Sequence, residues 1–267
     1  MHLKKYITLT RAGILDSLQF RLSTFTIILG NIIYMTIVYF LWKSIYASAD
    51  SYVINGMTFM DTLIYLVLAT AIFSFMEMYL VWEMGKNIQT GKIILDLLKP
   101  IEYRSYSFWS LSGNLVMSFV MTFIPTFIIV FFMTKFSIHL GLNLLFFTIS
   151  VIMAIIINFS IDFMVGTICI YTESIWGINI MKEVIVLLLS GATIPIAFFP
   201  KSLKAIVRFL PFQSIYNAPL SLLIDNKMAL SDVGITLGVQ LLWCILMLII
   251  SKLFWKLSLK QITVNGG

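Results

Sequence analysis

Five runs of about twenty apolar residues decide what this chain can become. They fall at 23–42, 60–82, 111–134, 142–170 and 233–254. A helix of about 20 residues crosses the hydrocarbon of a bilayer and satisfies its own backbone there, where no water can. A sixth run, 184–199, is shorter, contains Gly191 and Pro195, and stops at Pro200. As a helix it covers only about 24 Å. It either spans with help from the segment that follows or breaks within the membrane. Apolar residues make up 60% of the chain and charged ones 11%, and the mean hydropathy is +0.99. That much apolar surface has no soluble home in 267 residues. The prediction is an all-α integral membrane protein, one domain over 1–267, with six transmembrane helices.

Charge orients the spans, because basic residues collect on the cytoplasmic side. With an inner N-terminus and six spans, the inner segments carry twelve of the 18 basic residues. Lys182 is counted in an inner segment. Lys43, Lys135, Lys201, Lys204, Arg208 and Lys227 fall outside. Both termini are therefore expected on the cytoplasmic face. The net charge of +6 is explained by anionic lipid and calls for no nucleic acid.

Residues 2–22 precede the first span. Leu3, Ile7, Ile14, Leu18 and Leu22 recur near helical spacing, with Lys4, Lys5, Arg11, Asp16 and Arg21 between them. This reads as an amphipathic helix lying in the inner interface.

The basic segment 83–108 lies between the second and third spans. Ile93, Ile94, Leu97 and Leu98 form one helical face; Lys92, Asp96 and Lys99 form the other. Pro100 ends the helix. A tight turn would need no two-faced helix, so this one invites a cytosolic partner.

Nucleotide chemistry is missing from the sequence. The phosphate-cradling pattern requires Lys followed by Ser or Thr after its glycine, and here Gly85-Lys86 meets Asn87 and Gly91-Lys92 meets Ile93. His2 and His139 stand alone. Cys169 and Cys244 lie in apolar runs and read as buried hydrophobes. No catalytic residue and no metal site is assigned.

Two carboxylates, Glu77 and Asp162, fall inside apolar runs, where a charge costs about 2.5–3.5 kcal/mol on insertion scales. No Lys or Arg is placed within a span to pair with them. Each acid either lines a vestibule open to the cytosol or serves structure by bonding a neighbouring helix.

The outer segment 200–232 carries an apolar stripe, Leu203, Ile206, Val207 and Leu210, beside a basic one, Lys201, Lys204 and Arg208. Pro200 opens its first helix and Pro211 closes it. The apolar piece 218–224 follows. The pair reads as a helical hairpin resting on or dipping into the outer leaflet. Gly191, Pro195, Phe198 and Phe199 just before it are candidates for an outer gate; the alternative is an ordinary interfacial helix.

This layout resembles the permease subunits of bacterial ATP-binding-cassette exporters, in the type-two permease family that includes drug, antibiotic and bacteriocin exporters. The likeness runs from the elbow helix at 2–22 to the hairpin before the sixth span. Its most family-like strings are residues 91–100, GKIILDLLKP, and 190–203, SGATIPIAFFPKSL, followed by LPFQ at 210–213. The resemblance implies that two permease chains, identical or related, pair in the cell membrane above two ATP-binding-cassette ATPase subunits. ATP and magnesium would sit on that partner and hydrolysis would happen there. The 91–100 helix, with Gly91, Lys92, Asp96, Lys99 and Pro100, would be the coupling helix. The rival reading is a secondary transporter or channel subunit, for which matched broken helices or intramembrane charge pairs are the usual sign.

Overall fold

The computed structural model describes residues 2–19, 21–49, 51–134, 141–172, 175–225 and 228–261. Lys135, His139 and Lys227 lie outside these residues, as do the side chains of His2, Leu3, Arg21 and Leu22.

The described chain is helical apart from one small hairpin. Helix α1 covers His2–Gln19 and α2 covers Arg21–Ala47. Strands β1, Val53–Ile54, and β2, Met57–Thr58, pair antiparallel around Asn55-Gly56. Both turn residues have positive φ, 49° and 84°, which is why Asn and Gly occupy them. Thr58 then caps α3, Phe59–Met76: its hydroxyl accepts from the Asp61 N–H, and Asp61 accepts from the Thr58 N–H. Helix α4, Leu80–Gln89, continues after a break, and the short α5, Ile93–Leu97, follows. Helices α6, Tyr103–Ser118, and α7, Ile124–Met133, are joined by a π-helical turn over Phe119–Phe123. Pro125 cannot donate to the turn before it, and the widened turn absorbs the mismatch. Helix α8 is Leu142–Ile168 and α9 is Ile175–Ser190. Helices α10, Lys201–Val207, and α11, Asn217–Ile224, precede the last long helix, α12, Leu230–Ser258.

Among the described residues, four stretches are long and apolar enough to cross a membrane: Phe59–Gln89, Tyr103–Met133, Leu142–Ile168 and Leu230–Gln261. Helix α2 runs for 27 residues, but several of its side chains are undescribed. Helix α9 has 16 residues but starts nine residues before the short run at 184–199, so Lys182 lies within the helix and not in a segment before it.

The core gathers on α3 and α8, whose inner faces are almost wholly buried. An aromatic ladder ties them to the third span. Phe75 meets Phe119 and Phe123 edge-on at 5.2 and 5.6 Å, and Phe123 stacks on Phe147 of α8 at 5.5 Å. Polar side chains fasten the helices where lipid gives no hydrophobic drive. Gln240 of α12 donates to the carbonyls of Ser150 and Ser214, at 2.8 and 2.9 Å, and accepts from the Ser150 hydroxyl.

Helix α1 does not merely float at the interface. Its small face, Thr10, Gly13 and Ser17, packs along α6. A Cβ on Gly113 would lie 2.4 Å from the Ile14 nitrogen, and one on Gly13 would lie 2.6 Å from the Ser110 carbonyl. Only glycine permits that approach. Thr10 and Ser112 share a hydroxyl hydrogen bond of 2.7 Å across it. Ile7 and Leu15 stay exposed on the remaining surface.

The two halves of the segment 200–232 differ in burial. Helix α11 does not rest on a surface: Ala218, Pro219, Leu220, Leu222 and Leu223 are buried, packed against α8 and α3. The first half keeps Val207 inside and leaves Ile206 and Phe209 exposed. The predicted stripe of α10 is thus narrower than its periodicity suggests.

Candidate functional site

Among the described residues, ionisable side chains gather at a cleft at the break in the second span and in the segment after that span.

The break separates α3 from α4 at Glu77, Met78 and Tyr79. Tyr79 adopts a left-handed conformation, with φ 54°, and stops the helical ladder. The carbonyl of Met76 is left free by the break, and Asn158 of α8 donates to it at 3.1 Å. Glu77 and Asp162 line one cleft here, together with Asn179, Lys182 and Glu183 of α9. Lys182 Nζ lies 3.0 Å from Asp162 Oδ1, and both side chains are largely withdrawn from solvent. Asn179 donates to Glu183. Two sequence-based expectations are corrected. The second span is not one continuous helix. Asp162 does have a basic partner, because α9 begins early enough to carry Lys182 to it.

Arg104 is also buried rather than solvated. Its guanidinium donates to the Leu248 carbonyl of α12 at 2.9 Å and to the Ser160 hydroxyl of α8 at 3.3 Å. One side chain at the start of α6 thereby bridges to α8 and α12, a geometry the planar fork of Arg suits.

The candidates at 91–100 lie in the turn after α4 and in α5. Gly91 has φ 71°, the left-handed position that ends a helix, and a Cβ there would be strained. Lys92 and Pro100 are exposed. Asp96 is not: it is 4% exposed, while Leu95 and Leu98 are 64% and 76% exposed. The face assignment from periodicity is therefore reversed for Asp96 and Leu98, while Ile93 is buried on the assigned apolar face. The cause is a local bond set. Asn87 of α4 donates to Asp96 at 3.1 Å, and Lys99 donates to it at 2.7 Å. Lys99 also sits over the Tyr106 ring, 3.7 Å from its centre. Partial burial works against the Lys99 charge, but hydrogen bonds to Asp96 and Tyr106 prevail and hold its ammonium above the ordinary lysine value.

The outer candidates surround the end of α9. Gly191, with φ 83°, terminates that helix after Ser190, and Pro195 opens a single 3-10 turn over Ile196–Phe198. Phe198 packs edge-on against the buried Trp42 of α2, 4.7 Å between centres, while Phe199 is half-buried. Gly191 and Pro195 are themselves buried. The sixth apolar run breaks where those two residues occur.

The sequence profile of a family described as ABC-2 family transporter protein matches residues 32–266, most of the chain. This chain belongs to the ABC-2 transporter family. As an ABC-2 protein it is a membrane permease component of an ABC transporter. No individual curated protein matches it at a significant level. Neither Lys182 nor Arg104 was found as a functional side chain by sequence reasoning. The signal for Lys182 was its spacing: Lys182 and Glu183 interrupt an otherwise apolar stretch in the same span that holds Asn179.

Proposed function

We propose that this ABC-2 permease forms the pathway of an ATP-driven exporter and is driven through residues 91–100 by separate ATP-binding subunits. Two permease chains would pair in a bacterial cell membrane, each with six crossings and both termini in the cytosol. The observation that carries the reading is the continuity of α4. It runs from the turn at Gly91 to the break at Tyr79, about 15 Å, with no interruption. Asn87 and Asp96 tie α5 to its inner end. A push on α5 is thereby delivered to the cleft at the outer end, where α4 packs between α8 and α9.

In this reading Leu95 and Leu98 enter a groove on the ATPase, with Lys92 giving register. Asp96 acts inside the permease, as the tie that makes α4 and α5 move together. The segment 184–224 is the outer gate, bending at Gly191 and Pro195. ATP and magnesium belong to the partner chain, and lipid covers the apolar helices. The broken second span and the Lys182–Asp162 pair are features found in secondary transporters as well. Family membership weighs against that alternative. Affinity purification of the tagged chain from its own membrane tests the choice. An ATP-binding subunit and ATP hydrolysis should accompany it; transport by the chain alone, driven by an ion gradient, would overturn the proposal.

A further inference from the structure

Helices α2, α3 and α7 border a groove of about 1280 Å³ on the side of the molecule that carries the β1–β2 hairpin. Tyr39, Phe59, Met60 and Asp61 line its hairpin end, and the lining stops at Asn31, Ala71 and Met121. Just past that deep end Asn31 of α2 donates to the Ser74 hydroxyl of α3 at 2.9 Å and ties the two helices together. From Phe59 to Ala71 an α-helix rises about 18 Å, a little more than half of the ~30 Å hydrocarbon thickness. The groove therefore spans one leaflet and does not continue through the other.

Its walls offer little to water. Thr36 donates to the Ile32 carbonyl, Thr70 to Leu66 and Thr126 to Thr122, so these hydroxyls are spent within their own helices. A buried water needs about two to four polar partners. The volume also exceeds the roughly 300–1,000 Å³ of a drug-sized site. A spanning helix of a partner chain would run on past Asn31 into the other leaflet, where the groove does not follow. Hydrocarbon chains that end near the midplane fit both the length and the volume.

The hairpin end is charged. Asp61 takes the Thr58 N–H and the Thr58 hydroxyl on Oδ2, at 3.0 and 2.7 Å, which leaves Oδ1 for another donor. Lys43 Nζ lies 5.8 Å from the centre of the Tyr39 ring, and Tyr39 lines the same end. Both Lys43 and Asp61 are exposed. One anion and one cation complement a zwitterionic headgroup, its ammonium toward Asp61 and its phosphate toward Lys43. An anionic headgroup satisfies Lys43 alone and is repelled by Asp61.

We propose that this groove is a site for a two-chain phospholipid with an ammonium headgroup. Its acyl chains lie between α2, α3 and α7, and Asp61 and Lys43 hold its head. The leaflet is the outer one in the orientation proposed above; the site itself depends neither on that orientation nor on the exporter reading.

The test is native mass spectrometry of the full chain in detergent, titrated with palmitoyl-oleoyl phosphatidylethanolamine or phosphatidylglycerol. The parent should retain one phosphatidylethanolamine per chain and prefer it to phosphatidylglycerol about threefold or more, the scale of an exposed ion pair. Ile129→Trp fills the groove from an exposed position and should weaken retention about tenfold. Leu253→Trp changes an exposed position on α12, outside the groove, and should leave retention unchanged. Asp61→Asn keeps an oxygen for the Thr58 cap and should remove the headgroup preference. No retained lipid or no headgroup preference in the parent overturns the site. Equal retention by Ile129→Trp and the parent, an equal loss in Leu253→Trp, or an undiminished preference in Asp61→Asn does the same. A parent that carries no lipid but forms a dimer broken by Ile129→Trp assigns the groove to a second chain and overturns it too.

Discussion

The Lys182 ammonium lies 3.0 Å from Asp162 Oδ1, so one ion pair fastens α9 to α8 beside the break in the second span. Removing a single partner leaves the other charge buried alone, which costs about 3–5 kcal/mol where it has been measured. Lys182→Met should therefore lower the unfolding temperature of the purified chain, and Lys182→Met with Asp162→Asn should recover most of the loss. A single variant as stable as the parent would show that the pair does not hold these helices.

Helix α1 should be fixed to α6 through Gly13 and Gly113. A bulky side chain at either meets backbone at less than 3 Å, and such overpacking costs about 1–3 kcal/mol. Cysteines placed at Thr10 and Ser112, whose hydroxyls are 2.7 Å apart, should cross-link readily in the parent background. Gly113→Leu should abolish the cross-link. Persistence of the cross-link in that variant would mean that α1 is held elsewhere.

Arg104 should resist replacement even by lysine. Its fork reaches the Leu248 carbonyl and the Ser160 hydroxyl together, and a single ammonium cannot reproduce both bonds. Arg104→Lys should destabilise the chain by about 1.5–3 kcal/mol, the range for hydrogen bonds to charged groups. The shift of its thermal unfolding midpoint measures this, and an unshifted midpoint refutes it.

The orientation should follow the basic residues. Cysteine at position 54, in the hairpin between α2 and α3, should react with an impermeant reagent added to intact cells. Cysteine at position 95 should react only after the membrane is opened. Labelling of position 95 from outside would reverse the topology.

The long apolar runs made α3, α8 and α12 legible in the sequence, since nothing but membrane helices could absorb them. Pro100 and Gly191 marked the stops after α5 and α9 because each acts through its own backbone. The break at 77–79 was hidden: Glu-Met-Tyr contains neither Gly nor Pro, and the bond that sustains it comes from Asn158, eighty-odd residues away. The partner of Asp162 was hidden for the same reason, because it depends on how α8 and α9 meet. Asp96 was misplaced because a five-residue helix is too short for periodicity to fix its buried side. Asn87 of the neighbouring helix decides it instead.

The central claim is that an ATP-binding subunit drives this permease through α5, and co-purification with variants of that helix tests it most directly. Leu95 and Leu98 project outward, while Asp96 is turned in toward α4. Leu95→Asp with Leu98→Asp should reduce the co-purified ATP-binding subunit about tenfold or more, as expected when apolar anchors are lost from an interface. Asp96→Asn should keep the subunit bound but separate its ATP hydrolysis from export. Full association in the leucine double variant, or a parent chain that purifies with no ATP-binding subunit at all, would contradict the account.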